Sequence, residues 1–402
     1  MTSVDPGTVC RVKDLPVAER RDDAWRILAE KGEVAPMADG LAVTGLAGVK
    51  EMLREPNRFS AKMVFDGVES GFPLVPLGYD PPEQTRYRRI LQPFFSPRRI
   101  RPLEDSLRAQ AVDLIEGVKA RGGCEFVADV ADPFPAQALL TLLGLPLEER
   151  ERFIACKTAA LALTADAAGE VPLTDEERVT ATERTVATAG YLMELIQTRR
   201  ARPGDDILSE ILAIDGDDRL SDAEAMGLCV MLIMAGLETV TDALSMAMER
   251  LATAPERRKE LVADPSLVPA AVEELLRLDP PAPFLPRVTT EDVEVAGCPV
   301  PAGTLVNAHL TTANRDEATW PNPHDLDFHR PENVHTAFGV GVHRCLGAHL
   351  ARLEMQILFE EWHCRIPEYA IAEGTEHRAR LVRANIGLES LYLHFPGTGS
   401  GS

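Results

Sequence analysis

Apolar residues recur at helical spacing through most of the middle of the chain, from about 103 to 278. One pattern covers 103–120, and another runs from 174 to 201, where the pair Pro203-Gly204 stops it. A third helix is predicted at 266–278. Because such spacing gives each segment one apolar face, these segments are predicted to be amphipathic α-helices that pack on one another.

The most extended helical pattern begins at Ser221-Asp-Ala-Glu224, where a hydroxyl and a carboxylate have the spacing of a capping box. It continues to Leu251, about 30 residues or ~45 Å at the rise of an α-helix. Residues 226–236 are apolar on all sides, which is typical of a helix buried through the middle of a protein. That apolar run is about half of the ~20 residues that a bilayer span needs, so a core helix is predicted.

After position 280 the pattern changes. Val293 and Val295 alternate with polar residues and are followed by glycines and prolines, which predicts a β-hairpin. Residues 309–337 are rich in Asn, His, Asp and Pro, and a loop of this length is usually functional. A helix is predicted at 346–363 and short strands at 365–394.

The predicted fold class is therefore mainly α with a smaller β part. No internal repeat and no clear linker divides the chain, so a single domain over residues 1–396 is predicted. The last six residues, 397–402, have the sequence Gly-Thr-Gly-Ser-Gly-Ser and are predicted to be a flexible tail or an artificial extension.

Charge and cysteine usage narrow the class of protein. The chain has 63 acidic and 42 basic residues and a net charge of −21, which does not suit a nucleic-acid binder. Seven scattered cysteines with no CxxC argue against a disulfide framework and for a reducing compartment. The N-terminal residues lack the pattern of a signal peptide. The protein is predicted to be cytoplasmic, without a membrane or nucleic-acid partner.

The candidate chemistry centres on the segment from Phe338 to Gly347. Gly339 and Gly341 permit tight turns, and Cys345 comes directly before a predicted helix, whose N-terminus favours a thiolate. Such a thiolate can ligate a metal, with backbone N–H groups donating to its sulfur. The alternative interpretation is an inert, buried cysteine, the usual case for a cysteine taken alone.

This segment resembles the cysteine loop of the cytochrome P450 family, Phe-Gly-x-Gly-x-His-x-Cys-x-Gly, at all six fixed positions. Four further stretches, in the family's order, are similar to its other motifs: the start of the C helix, the oxygen-activation stretch of the long central helix, the Glu-x-x-Arg pair and the meander. They are Asp80-Pro81-Pro82-Glu83 with Arg88, Ala235-Gly236-Leu237-Glu238-Thr239, Glu274-Leu-Leu-Arg277, and Leu326-Asp327-Phe328-His329-Arg330.

The resemblance implies a cytochrome P450 fold and haem b as the cofactor, with Cys345 as the axial thiolate of its iron. It implies that Arg88, Arg287 and His343 bind the haem propionates. Gln84 stands where many bacterial members have histidine, and we include it as a weaker candidate because an amide can still donate a hydrogen bond.

For the central helix, the resemblance implies that Thr239 hydrogen-bonds the oxygen at the iron and that Glu238 supplies protons. Gly236 costs helix stability, so a local opening of the helix is expected there. The alternative for Thr239 is a hydrogen bond to the carbonyl four residues earlier, which is common for buried threonines. Glu274, Arg277 and Arg330 are expected to form a buried ion network with a structural role.

The resemblance implies a monooxygenase that inserts one oxygen atom from O₂ into a small apolar substrate. Because the sequence shows no flavin or iron–sulfur domain, the electrons are expected from a separate ferredoxin and its reductase. The alternatives are an H₂O₂-driven peroxygenase, a non-enzymatic haem or ligand-binding protein, and a zinc site of His343, Cys345 and His349, whose spacing fits no usual zinc pattern.

Two surfaces follow from these expectations. Six arginines and no acid lie between Gln84 and Arg101, and with Arg344 they predict a basic patch for an acidic ferredoxin. The resemblance implies which segments line the substrate pocket, and their residues predict an apolar pocket with Lys62 and Arg383 as its nearest cations. The apolar residues of these segments are Met63, Phe65, Phe72, Leu74, Val75, Leu77, Met234, Leu237, Phe284, Leu285, Ile386 and Leu388. A neutral, mostly apolar substrate is therefore expected rather than a free fatty acid.

Overall fold

The structure, a computed structural model, describes residues 11–38, 40–65, 71–382 and 384–396. Arg383 and the predicted tail 397–402 therefore lie outside the described residues. The chain is 58% helical with a smaller sheet portion, which confirms the predicted fold class.

Fourteen α-helices are formed in the described part of the chain. In chain order they are α1 Val17–Ala29, α2 Leu46–Arg54, α3 Glu83–Leu91, α4 Pro97–Ile100, α5 Glu104–Lys119, α6 Pro133–Leu142, α7 Arg150–Ala167, α8 Asp175–Ala201, α9 Ile207–Leu212, α10 Asp222–Thr253, α11 Pro255–Ala263, α12 Val268–Leu278, α13 Leu310–Ala313 and α14 Ala348–Arg365. The predicted helices at 103–120, 174–201, 266–278 and 346–363 correspond to α5, α8, α12 and α14 and are confirmed to within a few residues.

Twelve short strands accompany them in the same described ranges. They are β1 Val34–Met37, β2 Gly40–Val43, β3 Phe59–Ser60, β4 Gly123–Glu125, β5 Phe284–Thr289, β6 Val293–Val295, β7 Cys298–Val300, β8 Leu305–His309, β9 Ala370–Ile371, β10 Ala379–Val382, β11 Asn385–Leu388 and β12 Tyr392–His394. The largest sheet has the order β1-β2-β8-β5-β3, in which β2 and β8 are parallel and the other pairs antiparallel.

The predicted hairpin is the pair β6–β7. Val295 lies opposite Cys298, and the two residues between them, Ala296 and Gly297, both have positive φ angles, of 45° and 77°. A two-residue loop of this kind matches the twist of the two strands. The predicted strands at 365–394 are also confirmed, as β9 to β12, whereas the loop predicted from 309 begins one short helix later, after α13.

Helix α10 runs through the centre of the molecule and positions the site. Ser221 caps it: the side chain accepts from the backbone N–H of Glu224, whose carboxylate accepts from the backbone of Ser221 in return. The helix packs against α6, α7, α8 and the strand β11, and its second half is almost wholly buried. That second half buries Glu238, Asp242 and Glu249 as well as apolar residues, so it needs polar partners that the apolar run at 226–236 does not.

By length and composition α10 is also the one described helix that is long and apolar enough to cross a bilayer, with a mean hydropathy of 1.6 over its most apolar stretch. Half of that stretch is buried inside the molecule.

Candidate active site

The cysteine loop is tightly constrained before α14 begins. Gly341 has a φ of +74°, and a Cβ there would lie 2.3 Å from the backbone oxygen of Leu53. A hydrogen bond of 2.8 Å from the backbone N–H of Cys345 to the oxygen of Phe338 closes the loop. Because a side chain at 341 would both strain the backbone and collide with α2, glycine is required there. The loop thereby fixes where Cys345 stands.

The Cys345 thiol opens into a large cavity rather than into the packed core. Burial raises its pKa, while a hydrogen bond from the backbone N–H of Gly347 and the charges of Arg88, Arg344 and Arg352 lower it. The backbone donor comes from the start of α14, as expected of a cysteine that precedes a helix. The arrangement supplies a sulfur ligand with partners for a negative charge.

The cavity has an empty volume of about 1060 Å³, which includes space open to solvent. It lies between α10 on one side and the cysteine loop with α14 on the other. Most of its wall is apolar: Val75, Pro76, Leu77, Gln84, Arg88, Phe95, Pro135, Leu139, Leu142, Leu228, Met231, Leu232, Ala235, Gly236, Thr239, Val240, His343, Arg344, Cys345, Leu346, Gly347, Leu350, Ala351 and Glu354.

The predicted propionate partners share one electrostatic environment beside this cavity. Arg88 and His343 line it, and Arg287 on β5 is buried, its one described hydrogen bond being a 2.7 Å contact to the oxygen of Pro286. Burial lowers the pKa of Arg287 to about 10. Burial and the charge of Arg287 likewise lower the pKa of His343 to about 4. A buried cation without a carboxylate contact in the described structure favours a bound anion.

His343 offers a further donor at this place. Its Nε2 atom is buried and has no hydrogen-bond partner among the described residues, with the Asp80 carboxylate 4.0 Å away. Such an atom is costly unless a bound group satisfies it.

Gln84 lies on α3 in the cavity wall, but its amide has a structural partner. The side-chain nitrogen donates to the backbone oxygen of Val342 at 2.7 Å, so Gln84 holds the cysteine loop. One of its two N–H groups is therefore already engaged. In this structure Gln84 supports the cysteine loop. The contact predicted for it was a different one, to a haem propionate.

Thr239 faces the cavity from α10, but the helix is not opened as predicted. The backbone remains α-helical from Asp222 to Thr253, and the Thr239 hydroxyl donates to the oxygen of Ala235 at 2.8 Å. A Cβ added at Gly236 would meet no heavy atom within 4 Å outside its own helix, so the wall is roomy there. The alternative hydrogen bond to the carbonyl four residues earlier is therefore the one formed.

Glu238, for which the resemblance implies a supply of protons, does not line the cavity. It is 1% exposed and contacts Lys157 of α7 at 3.2 Å and Arg380 of β10. Residues one apart on a helix project about 100° from each other, and here Thr239 faces the cavity while the Glu238 carboxylate faces α7 and β10. The sequence motif specifies the pair but not the direction of the carboxylate.

The predicted ion network of Glu274, Arg277 and Arg330 is confirmed. Arg277 donates twice to the Glu274 carboxylate at 2.8 Å, and Arg330 donates to it at 3.2 Å. Arg277 also donates to the oxygen of Asn314, whose side chain accepts from the backbone N–H of Thr336 at 2.7 Å. The network therefore supports the start of the cysteine loop.

A second set of contacts that holds the cysteine loop was not predicted from the sequence. Arg352 of α14 stacks on the ring of Phe338 at 4.2 Å and pairs with Glu273 of α12 at 2.6 Å. His335 contacts the same carboxylate at 3.1 Å. The sequence shows that Arg352 lies seven residues after Cys345, on the predicted helix that follows it. It does not show that Glu273 of α12 is the partner of Arg352.

The predicted basic patch is largely neutralised. Arg86 pairs with Glu224, Arg89 with Asp218 and Arg99 with Glu210. These acids come from residues 210–224, a segment distant in sequence that packs beside α3. Within the described ranges, the exposed arginines that keep no ion pair on this side are Arg98, Arg101 and Arg344.

Of the twelve apolar residues predicted to form the pocket, Val75 and Leu77 line the cavity. Leu237, Ile386 and Leu388 are buried in the core instead. Apolar residues of α6 and α10 take their place, among them Leu139 and Met231. Lys62 does not line the cavity, and Arg383 lies outside the described residues.

The donors around the cavity fit haem. A thiol faces a cavity with apolar walls, and the unpartnered His343 nitrogen in the wall and the buried Arg287 nearby could hold the acidic groups of a macrocycle. No group of three or more His, Cys, Asp or Glu able to hold a metal ion occurs among the described residues, so a zinc site of His343, Cys345 and His349 is not assembled.

Comparison with known proteins agrees. The profile of the family described as "Cytochrome P450" matches residues 185–361. The chain is 35% identical over 350 residues to mycinamicin IV hydroxylase/epoxidase of Micromonospora griseorubida, covering 86% of this chain and 83% of that protein. It is 35% identical over 300 residues to vitamin D(3) 25-hydroxylase of Pseudonocardia autotrophica, covering 74% and 72%. The solved structure of a mutant of P450 EryK in complex with erythromycin B is 29% identical in sequence and has a TM-score of 0.84. The match covers 96% of this chain and 99% of that one.

The chain belongs to the cytochrome P450 family. It is a haem-thiolate monooxygenase, an oxidoreductase that acts on small molecules with electrons from redox partners.

Proposed function

We propose that the protein inserts one oxygen atom from O₂ into a small apolar substrate, with Cys345 as the axial ligand of its haem. The observation that carries this assignment is the thiol of Cys345, which opens into an apolar cavity from a loop that admits no side chain at 341. When bound, the haem iron activates O₂, and an axial thiolate favours cleavage of the O–O bond.

Arg287, Arg88 and His343 hold the haem by its propionates in this proposal. The buried guanidinium of Arg287 gains a counter-charge and the Nε2 atom of His343 gains an acceptor. Arg88 also donates to the backbone oxygen of Arg344, next to the ligand cysteine. Gln84 contributes by holding the loop through Val342.

In this proposal Thr239 and Glu238 have separate roles in proton transfer. The Thr239 hydroxyl stands in the cavity wall and can hold a proton at Oγ1 once it leaves the carbonyl of Ala235. Glu238, behind it, supplies protons from a buried position, for which its side chain must turn away from Lys157. A hydroxyl in the wall favours the O₂ route over a route that uses H₂O₂.

The test of this division is a pair of variants. We expect Thr239→Ala to consume NADH through its redox partners while much of the reducing power ends as peroxide. We expect Glu238→Gln to slow turnover instead, because an amide cannot supply the proton. The measurement is product formed per NADH consumed, with peroxide assayed in parallel.

A Leu232→Ala variant, altered in the wall but not in a proton-holding group, serves as the control for a disturbed cavity. Equal coupling of NADH to product in Thr239→Ala and the parent contradicts the role of Thr239.

We propose a neutral, mostly apolar substrate. The cavity walls from α6 and α10 are apolar, and affinity there comes from excluding water, at ~25 cal/mol per Å² of buried apolar surface. Relatives named for the hydroxylation of mycinamicin IV and vitamin D(3) support an organic small molecule as the substrate. Of the basic residues in the cavity wall, Arg88 and His343 are assigned to the haem, and Arg344 belongs to the cysteine loop.

An ester and its free acid, titrated by the shift in the spin state of the haem, test this. We expect the ester to bind more tightly, since the acid brings an unpaired charge into an apolar site. Tighter binding of the acid that is abolished by Lys62→Ala or Arg383→Ala contradicts the proposal.

We propose a separate acidic ferredoxin with its reductase as the electron source. The support is a set of exposed arginines, Arg98 and Arg101 at α4 and Arg344 in the cysteine loop, in a chain of net charge −21. Opposite charges mainly raise the association rate and are screened by salt. We expect the rate of reduction to fall as salt rises, and to fall further in Arg98→Ala/Arg101→Ala.

Arg89→Ala is the matched control, because Arg89 is already paired with Asp218. A rate that does not depend on ionic strength contradicts the proposal.

A single domain over residues 1–396 and a cytoplasmic location complete the proposal. One hydrophobic core cluster contains residues from Val12 to Phe395, which supports one domain. The scattered, unpaired cysteines of the described ranges support a reducing compartment.

A further inference from the structure

A buried ion cluster lies directly behind the oxygen-activation stretch of α10. It contains Glu238 and Asp242 of α10, Lys157 of α7, Asp132 at the start of α6 and Arg380 of β10. Four elements that are distant in sequence meet here. The side chains of Glu238 and Asp242 are each 1% exposed, so their charges are not screened by bulk water.

One nitrogen of Arg380 connects the two carboxylates. Its Nη2 atom donates both to Glu238 and, at 2.9 Å, to Asp242. Lys157 contacts Glu238 at 3.2 Å and also pairs with Asp132. Because Glu238 and Asp242 are four residues apart on a helix, they lie on the same face and share this single donor.

The charges of the cluster do not balance if every carboxyl group is ionised. Three carboxylates then face two cations, Lys157 and Arg380, and one buried negative charge has no counter-charge among the groups of the cluster. Asp242 has the most unfavourable position: burial and the charge of Glu238 raise its pKa well above its ordinary value, and its Oδ2 atom has no described hydrogen-bond partner. Two close carboxyl groups of this kind hold a proton between them.

The surroundings keep Asp242 in place. A Cβ at Gly387 of β11 would lie 1.7 Å from its Oδ1 atom, so the bare backbone of this glycine forms one wall of the carboxyl site. Water can reach the edges of the cluster instead, because the side chains of Asp132 and Arg380 are 22% and 24% exposed. The cluster is therefore closed around Asp242 and open at its rim.

We propose that Glu238 and Asp242 share one stored proton, held at rest on Asp242, and that Asp242 is the positioning residue that passes this proton to Glu238, which then gives it to the cavity. The role of Glu238 in this statement rests on the proposed function. The stored proton itself depends only on the cluster.

The transfer is balanced within the pair. The O–H bond of Asp242 breaks and an O–H bond forms on Glu238, and the negative charge moves from Glu238 to Asp242. Arg380, in contact with both, neutralises the charge in either position. A proton from the rim at Asp132 and Arg380 then restores Asp242.

The infrared spectrum of the purified holoenzyme tests the stored proton. A protonated carboxyl group has a C=O stretch that is separate from the carboxylate bands and shifts in D₂O. We expect Asp242→Asn to lose one such band. We expect Glu238→Gln to lose the same band, because Asp242 then becomes ionised and pairs with Arg380.

Two matched controls assign the band. Glu354→Gln removes another buried carboxyl group, whose pKa burial raises well above the ordinary value, and should remove a different band. Glu210→Gln, an exposed partner of Arg99, should remove none.

A full set of parent bands in Asp242→Asn overturns the stored proton. A band of Asp242 that persists in Glu238→Gln overturns the sharing, since burial alone would then hold the proton. Neither outcome depends on catalysis, so the spectrum separates failure of this inference from failure of the proton role of Glu238. Should Asp242→Asn not fold, Asp132→Asn replaces it: one negative charge fewer should weaken the same band.

Discussion

A Cys345→Ser variant is expected to lose the CO-bound absorption band that is characteristic of the family, and to lose monooxygenase activity with it. A serine hydroxyl keeps the size of the side chain but supplies no thiolate. The loop itself should persist, because it is closed by the backbone hydrogen bond of residue 345 to Phe338 and by the glycine at 341. The measurement is the difference spectrum of the reduced protein with and without CO.

Cys298→Ser is the matched control, since this exposed thiol lies on β7, far from the cavity wall. It should leave the spectrum unchanged. A parent-like CO spectrum in Cys345→Ser, at normal haem content, contradicts the assignment of the axial ligand. Loss of the band in both variants would indicate a general effect of removing a thiol, and this outcome also contradicts the assignment of Cys345 as the ligand.

The parts of this site that a sequence can predict are those encoded locally. The cysteine loop is such a part, because Gly339, Gly341 and Cys345 determine its shape within a few residues. The capping box at Ser221 is another. Glu274 and Arg277 are three residues apart on one helix, so their pairing also follows from spacing alone.

The parts that could not be predicted depend on which distant segments meet. Glu238 does not line the cavity, because its carboxylate binds Lys157 and Arg380 on another face of α10. No spacing in the sequence connects 157, 238 and 380. In the same way, no acidic residue near Arg86, Arg89 and Arg99 in the sequence predicts a partner for them. Their partners come from the distant segment 210–224, which packs beside them in the fold.

The direction of Glu238 changes the chemical picture of the site. The cavity wall presents one hydroxyl, Thr239, while the carboxyl groups that can replace its proton lie behind the helix. In the proposed function a proton therefore passes around or through α10 between them. Because the helix is regular from 235 to 239, that proposal requires the side chain of Glu238 to move before a proton can reach the cavity.

A Glu274→Gln variant is expected to have the largest effect on stability. The Glu274 carboxylate is fully buried and accepts from Arg277, Arg330 and Asn333. An amide leaves two buried guanidinium groups without their counter-charge. Loss of one partner of a buried ion pair costs about 3–5 kcal/mol, a large share of the ~5–15 kcal/mol by which proteins are stable.

The measurement is denaturant unfolding of the holoenzyme, with haem retention followed in the same samples. Glu210→Gln breaks the exposed pair with Arg99 and should cost less than about 1 kcal/mol. A cost for Glu274→Gln that is no larger than this control contradicts the structural role. We expect haem loss to accompany the destabilisation, because Arg277 holds Asn314 and Asn314 holds Thr336 at the start of the cysteine loop. The buried network thus acts on the haem through the backbone that presents Cys345, without contacting the cavity.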